Sequence, residues 1–96
     1  MKSPNRYSPP RVGMRQPLVD HKWYALGLWK GRNGLRRKQL EREPLCRVCA
    51  QAGRTSIANE VDHIRPHRGN WSMFLDERNL QSLCKGCHSQ KTIAGG

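Results

Sequence analysis

The sequence contains little apolar material and no long hydrophobic run. Hydrophobic residues make up 35% of its 96 residues, and the mean hydropathy is −0.86. A chain of this length and composition rarely buries enough apolar surface to fold without a further constraint. No stretch approaches the roughly 20 apolar residues of a membrane-spanning helix, and the first residues lack the apolar segment of a secretory signal. We therefore expect one small cytoplasmic domain without a membrane partner.

Acidic residues are also scarce, with seven Asp and Glu against 18 Lys and Arg. The formal net charge is +11, and it divides unevenly into +8 over residues 1–45 and +3 over residues 46–96. Such an excess predicts a polyanionic partner. Charge alone is equally compatible with a ribosomal or architectural protein that performs no chemistry.

The chain divides into an arm and one domain. Residues 1–20 contain four of the six prolines and predict a flexible basic arm, which leaves residues 21–96 as the domain. Two short helices are predicted at residues 23–30 and 35–43, and the second ends before Pro44. The basic side of the second helix, which includes Arg36, suits either a phosphate backbone or solvent. Strands are predicted at 57–64 and 79–83, a loop at 65–77, and a closing helix at 84–94.

Four cysteines supply the missing constraint. Cys46 and Cys49 form one CxxC pair, Cys84 and Cys87 form another, and 34 residues lie between the pairs. Two such turns can complete a tetrahedral zinc site with four thiolates, and this leaves no open coordination position. Such a Zn²⁺ is structural. Two disulfides or a redox pair are the alternatives, and both are disfavoured by a reducing compartment and by the repeated spacing.

A second group of polar residues lies between and just after the cysteine pairs. Asp62 and His63 end a predicted strand, and His88 lies in the first turn of the predicted closing helix. Hydrolysis of a phosphodiester needs a base to activate water and a cation to stabilise charge. Asp62 and His88 are suitable ligands for a hard divalent ion, and His63 is then the candidate general base.

These residues resemble a known family in their joint spacing. Fifteen residues separate His63 from Asn79, and eight separate Asn79 from His88. With the segments Val61-Asp62-His63-Ile64 and Asn79-Leu80-Gln81-Ser82-Leu83-Cys84, the chain resembles the HNH endonucleases, particularly small phage and prophage members. The resemblance covers about residues 35–92.

The resemblance implies an α+β fold of the small ββα-metal (His-Me finger) type, with a core at about residues 57–94. A Cys₄ zinc site would brace this core, and an N-terminal helical segment would precede it. The implied activity is DNA cleavage that leaves 5′-phosphate and 3′-hydroxyl ends. His63 would be the base, Asp62 and His88 would hold Mg²⁺, Mn²⁺, Ni²⁺ or a similar ion, and Asn79 would fix the loop that carries His63. Phage packaging proteins are possible partners by analogy alone.

Other residues near this group have two interpretations each. His67 and Arg68 either approach the phosphate or belong to a surface turn, and Lys91 either contacts a phosphate or is solvated. Glu60 shares a strand face with Asp62 and is a candidate support for the metal. A hydrophobic group is predicted to form the core beneath the catalytic loop: Trp71, Phe74 and Leu75. Gly31 and Gly34 are expected to lengthen or loosen the helical segment around Trp29 and Arg32. This expectation argues against a contact role for Trp29 and Arg32.

The main competing hypothesis is a zinc-ribbon nucleic-acid-binding protein without catalysis. It explains the cysteines and the charge, but it leaves Asp62, His63, Asn79 and His88 without a role. A zinc-dependent deaminase is a weaker alternative, because a Cys₄ site offers zinc no position for water.

Overall fold

The computed structural model describes residues 7–8 and 20–93. Most of the arm predicted at residues 1–20 therefore lies outside the described residues. Tyr7 is an exception: its side chain is buried, and its hydroxyl donates a hydrogen bond of 2.7 Å to Asp76 Oδ2. Arg65 Nη1 donates to the carbonyl oxygen of Tyr7 at 3.3 Å. Tyr7 thus packs against the segment that connects the two strands.

The segment before the first cysteine pair forms three short helices. A 3₁₀ helix spans Asp20–Ala25, α1 spans Gly27–Lys30 and α2 spans Leu35–Arg42. The first predicted helix is thus split, because Leu26 is extended at φ −71° and ψ 147°. The turn into α2 requires glycine, since a Cβ on Gly34 would lie 2.4 Å from the carbonyl oxygen of Trp29. As predicted, α2 ends ahead of Pro44.

Two strands form an antiparallel hairpin. Strand β1 spans Glu60–His63 and β2 spans Leu80–Leu83, with Asp62 opposite Gln81 and His63 opposite Leu80. Both strands are shorter than predicted. Ile57 makes only an isolated bridge to Leu45, and Asn79 ends a 3₁₀ helix at Glu77–Asn79. Residues 64–79 connect the strands and are called the connecting loop below.

The connecting loop contains a helix where the sequence pattern predicted none. Helix α4 spans Trp71–Leu75, and the Asn70 side chain caps it by accepting a hydrogen bond of 3.1 Å from Met73 N. A cap residue directly before an apolar segment is a standard helix start signal. The prediction of a plain loop at 65–77 was therefore wrong for these five residues.

Helices α3 and α5 carry the cysteine pairs. Helix α3 spans Arg47–Gln51 and follows Cys46, and α5 spans Lys85–Ile93 and follows Cys84. The predicted closing helix is confirmed, and β1, β2 and α5 form the expected ββα unit. No helix in the described part of the chain has the length and apolar character needed to cross a membrane.

The core consists of two small clusters. The first is largely aromatic and lies under the connecting loop and α1: Trp23, Trp29, Trp71, Phe74 and Leu80. Leu75 packs against it, so the predicted core role of Trp71, Phe74 and Leu75 is confirmed. The second cluster joins Leu83 to the four cysteines. Because β2 contributes one leucine to each cluster, the hairpin links the two halves of the core.

A polar network attaches α2 to the outer edge of β2. Glu43 Oε1 accepts hydrogen bonds from Ser82 N at 2.8 Å and from Gln39 Nε2 at 3.0 Å. Glu43 Oε2 accepts from Arg47 Nε at 2.8 Å, which extends the network to α3. Gln39 and Ser82 are both buried. One carboxylate therefore supplies the acceptor for a backbone N–H at the strand edge that would otherwise be buried without a partner.

Candidate active site and cysteine cluster

The four cysteine sulfurs form one compact cluster. All four lie within 4.8 Å of one another, and none is in a disulfide. Cys49 Sγ lies 3.8 Å from Cys84 Sγ and 3.7 Å from Cys87 Sγ. Sulfurs at about 2.3 Å from one tetrahedral Zn²⁺ are about 3.8 Å apart, whereas a disulfide bond measures about 2.05 Å. The spacing fits a shared metal ion and excludes two disulfides in this geometry.

The electrostatics of the cluster also favour a cation. The backbone N–H of Cys87 hydrogen-bonds the Cys84 sulfur and lowers the pKa of this thiol to about 6. The hydrogen bond with Cys84 raises the pKa of Cys87 to about 12, which favours the protonated thiol there. A bound metal removes this conflict, because it stabilises several adjacent thiolates at once.

His63, the predicted base, ends β1 and is only 5% exposed. Its Nε2 lies 3.1 Å from the carbonyl oxygen of Phe74. A carbonyl can only accept, so Nε2 carries the proton and Nδ1 of the neutral ring holds a lone pair. Burial lowers the pKa of His63 to about 4. The imidazole is thus neutral at pH 7 and has one basic nitrogen.

Asn79 is fully buried and holds the chain just after His63. Its Oδ1 accepts from Arg65 N at 2.9 Å, and its Nδ2 donates to Arg65 O at 3.0 Å. Its own carbonyl oxygen accepts from Ile64 N at 2.7 Å. Two of its partners, Ile64 and Arg65, are thus the two residues that follow His63. This arrangement fixes where β1 ends and the connecting loop begins.

Asp62 precedes His63 and is partly buried. Lys91 of α5 forms an ion pair with Asp62 Oδ2 and donates a hydrogen bond to the carbonyl oxygen of His63. Apart from this ion pair, Oδ2 receives no hydrogen bond from the residues that the structure describes. Lys91 was predicted either to contact a phosphate or to be solvated. Its side chain is instead directed toward Asp62.

Two cavities meet at Asp62, His63 and Tyr24. The first, of about 240 Å³, is also lined by Pro66, His67, Arg68 and Lys91. The second, of about 330 Å³, is also lined by Trp29, Arg36, Glu60, Val61 and His88. The structure thus brings every predicted residue of this site other than the buried Asn79 to one cleft. His88 and Glu60 lie on one side of the Asp62-His63 pair, whereas His67 and Arg68 lie on the other.

The donor set fits a weakly held divalent ion. Asp62 and His88 line the same cavity and offer one carboxylate and one imidazole, which leaves positions for water and substrate oxygens. Within the described residues, the cysteines are the one group of three or more ligands close enough to share an ion. Asp62 and His88 provide two ligands against the four of the cysteine cluster, so an ion at Asp62 and His88 would be held more weakly.

Two aromatic residues of the site were not predicted to line it. Tyr24 lines both cavities, and its hydroxyl lies 2.9 Å from His67 Nε2. Trp29 lines the cavity of His88. The chain has only six aromatic residues, and three of them fall between positions 23 and 29. That concentration is the signal that could have indicated a role for this segment.

The hairpin, α5 and the cleft define a small α+β domain with two candidate metal centres of different character. The family model described as HNH endonuclease matches residues 46–93, half of the chain. The chain is similar to the HNH endonuclease of the deep-sea thermophilic bacteriophage GVE2, whose crystal structure was solved with a manganese ion. The identity is 36%, the TM-score is 0.68, and the match covers 78% of this chain and 79% of that one. No curated protein sequence matches. The chain belongs to the HNH endonuclease family and is a metal-dependent nuclease.

Proposed function

We propose that this nuclease hydrolyses phosphodiester bonds in DNA, with His63 as the general base and one divalent ion held by Asp62 and His88. The observation that carries the proposal is the hydrogen bond from His63 Nε2 to the Phe74 carbonyl. It assigns the proton to Nε2 and leaves Nδ1 with the lone pair that a general base needs. The products would carry 5′-phosphate and 3′-hydroxyl ends.

The environment of His63 supports this role. The ring is buried, its pKa is lowered to about 4, and it borders both cavities. A neutral imidazole accepts a proton from a water molecule as that water attacks phosphorus. Asn79 supports the orientation of the base, because its bonds to Arg65 fix the chain two residues further on. Asn79 is thus a positioning residue.

The divalent ion would stabilise negative charge on the phosphate and on the leaving oxygen. Apart from its ion pair with Lys91, the buried Asp62 Oδ2 receives no hydrogen bond from the described residues, and His88 lines the same cavity. The phage GVE2 relative was solved with manganese. An aspartate and one histidine discriminate poorly among Mg²⁺, Mn²⁺ and Ni²⁺, so the proposal covers all three.

The cysteine cluster would hold a structural Zn²⁺. Four thiolates at tetrahedral spacing leave no position for water, so this ion would take no part in hydrolysis. It would instead stabilise the fold, because a domain of this size lacks a large hydrophobic core. The non-catalytic zinc-ribbon alternative explains this cluster, but no observation on the Asp62-His63 cleft favours it.

The charge of the chain supports DNA as the substrate, bound mainly through its backbone. The net charge is +11, and Arg36 and Arg68 lie on opposite sides of the cleft. Contacts to phosphates carry little sequence information, so we expect weak sequence specificity and strong salt dependence. His67 and Lys91 border the same cavity as Arg68 and are further candidates for phosphate contact. Action beside phage packaging proteins remains a prediction.

Cleavage of supercoiled plasmid tests this proposal. Zinc-loaded protein would be assayed with Mg²⁺, Mn²⁺ and Ni²⁺, and the His63→Ala variant would be compared with Gln51→Ala, a change on the exposed face of α3. We expect about a 10²–10⁴-fold loss for His63→Ala and no change for Gln51→Ala. Nicked products that a DNA ligase reseals would show 5′-phosphate and 3′-hydroxyl ends. Undiminished cleavage by His63→Ala would remove the assigned base.

A further inference from the structure

Lys91 occupies a position that the proposed chemistry does not require. It extends from α5 and forms an ion pair with Asp62 Oδ2, and it donates a hydrogen bond to the carbonyl oxygen of His63. The Lys91 and Asp62 side chains are only 25% and 21% exposed, so solvent screens the pair less than it screens a surface pair. The ammonium thus lies on the carboxylate that is proposed to bind the divalent ion.

A lysine ammonium and a divalent cation cannot share this carboxylate without a cost. Both are positive, and at a partly buried site their repulsion is considerable. The ammonium compensates the charge of Asp62 when the ion is absent. A divalent ion that binds Asp62 therefore competes with the ammonium, and part of the binding free energy of the ion is lost in weakening or breaking the pair.

The structure offers the displaced ammonium a second position. Lys91 also lines a third cavity, together with Gln81 and Gln90. Gln81 lies opposite Asp62 in the hairpin and is 3% exposed, and its Oε1 is buried without a hydrogen bond from the described residues. An amide oxygen of this kind accepts readily from an ammonium group. The flexible lysine side chain can therefore change partners.

We propose that Lys91 is a positioning residue that competes with the divalent ion for Asp62 and withdraws toward Gln81 Oε1 when the ion binds. The inference rests on the proposed function, in which Asp62 is a ligand of the ion. It makes the metal affinity of this nuclease lower than its Asp-His pair alone would give. The same competition keeps the Asp62 carboxylate paired in the metal-free protein.

The affinity for Mn²⁺ measures this competition directly. Full-length zinc-loaded protein would be titrated with Mn²⁺ by calorimetry, without DNA, as wild type, Lys91→Met, Lys91→Arg, Gln81→Leu and Asp62→Asn. Methionine retains an unbranched chain without the charge, so we expect Lys91→Met to bind Mn²⁺ about tenfold more tightly, since one ion pair of this kind is of that order. Lys91→Arg retains the competing cation and should stay within about threefold of wild type. Gln81→Leu should bind more weakly, because the displaced ammonium loses its acceptor.

The direction of the Lys91→Met change is decisive, because a merely structural disruption would weaken binding. Equal or weaker Mn²⁺ binding by Lys91→Met overturns the proposal, provided that Asp62→Asn still reduces binding. If Asp62→Asn binds Mn²⁺ as wild type does, the proposed ligand itself is wrong, which is a separate failure. The NMR signal of the Lys91 side chain provides a check in unaltered protein: it should shift when Mg²⁺ is added. An unchanged signal at saturating Mg²⁺ would also overturn the proposal.

Discussion

The indole of Trp29 lies almost parallel to the imidazole of His63, with ring centroids 5.5 Å apart and planes 16° apart. The Phe74 ring also stacks on His63, at 5.4 Å and 28°. These two rings pack against the imidazole and contribute to the burial that lowers its pKa. Trp29 precedes the segment 46–93 that the HNH model matches. The N-terminal helices therefore complete the environment of the proposed base.

The buried His63 predicts a specific dependence of stability on pH. The unfolded chain binds a proton at His63 with a pKa of about 6.5, whereas the folded protein binds it at about 4. Protonation therefore favours unfolding. The effect is absent above about pH 6.5, develops as the pH falls below that value, and reaches about 2 kcal/mol at pH 5. Urea unfolding of wild type and His63→Gln across this range measures it.

The comparison with His63→Gln separates this effect from other acid-sensitive groups, including the cysteine ligands. The difference in the free energy of unfolding between wild type and His63→Gln should shift by about 2 kcal/mol, to the disadvantage of wild type, between pH 7 and pH 5. A difference that is constant over this range would contradict a buried neutral His63.

Removal of the Asn79 side chain should reduce both stability and cleavage. Asn79→Ala deletes both side-chain hydrogen bonds to Arg65. The Arg65 N–H and carbonyl then lack these partners, at a cost of about 2–4 kcal/mol. We expect at least about a tenfold loss of cleavage where the variant is folded, because orientation of the base is lost. Asn70→Ala is the matched control in the same loop. It removes only a helix cap, so it should cost about 1 kcal/mol with cleavage close to wild type.

Glu43 should contribute more to stability than an ordinary surface carboxylate. Glu43→Ala leaves Ser82 N without an acceptor and removes one of the two acceptors of Gln39 Nε2, so it should cost about 2–3 kcal/mol. Glu43→Gln retains one carbonyl oxygen and should cost less. Glu41→Ala, on the exposed side of the same helix, should change stability by less than about 0.5 kcal/mol. Urea unfolding at pH 7 ranks the three variants; equal losses for Glu43→Ala and Glu41→Ala would refute the network.

Loss of the proposed zinc should unfold the domain. Elemental analysis of purified protein should give one zinc per chain, and Cys49→Ser should lose zinc together with most of the helical circular dichroism signal. Excess Mn²⁺ should restore neither, because the cysteine cluster and the Asp62-His88 pair differ in ligand chemistry. A folded, zinc-free Cys49→Ser protein would show that the cluster is dispensable.

The sequence predicted those features that depend on local spacing. Two CxxC pairs predicted the cysteine cluster, and a polar pair at the end of a strand predicted where Asp62 and His63 lie. Features that depend on tertiary contacts were not predicted. Stacking of Trp29 on His63 joins residues 34 positions apart, and the Lys91–Asp62 pair joins α5 to β1. Neither contact leaves a periodic pattern in the chain.

Helix α4 has a consequence for which substitutions near His63 preserve its hydrogen bond. The last carbonyl groups of α4 have no hydrogen-bond partner within so short a helix. One of them, the carbonyl of Phe74, faces His63 Nε2. The acceptor belongs to the main chain, so a different side chain at position 74 does not remove it. Substitutions that move the end of α4 would instead remove this acceptor and so release the constraint on which imidazole nitrogen holds the proton. The tautomer of the proposed base is thus encoded by the position where a five-residue helix stops, and not by the identity of any one neighbour.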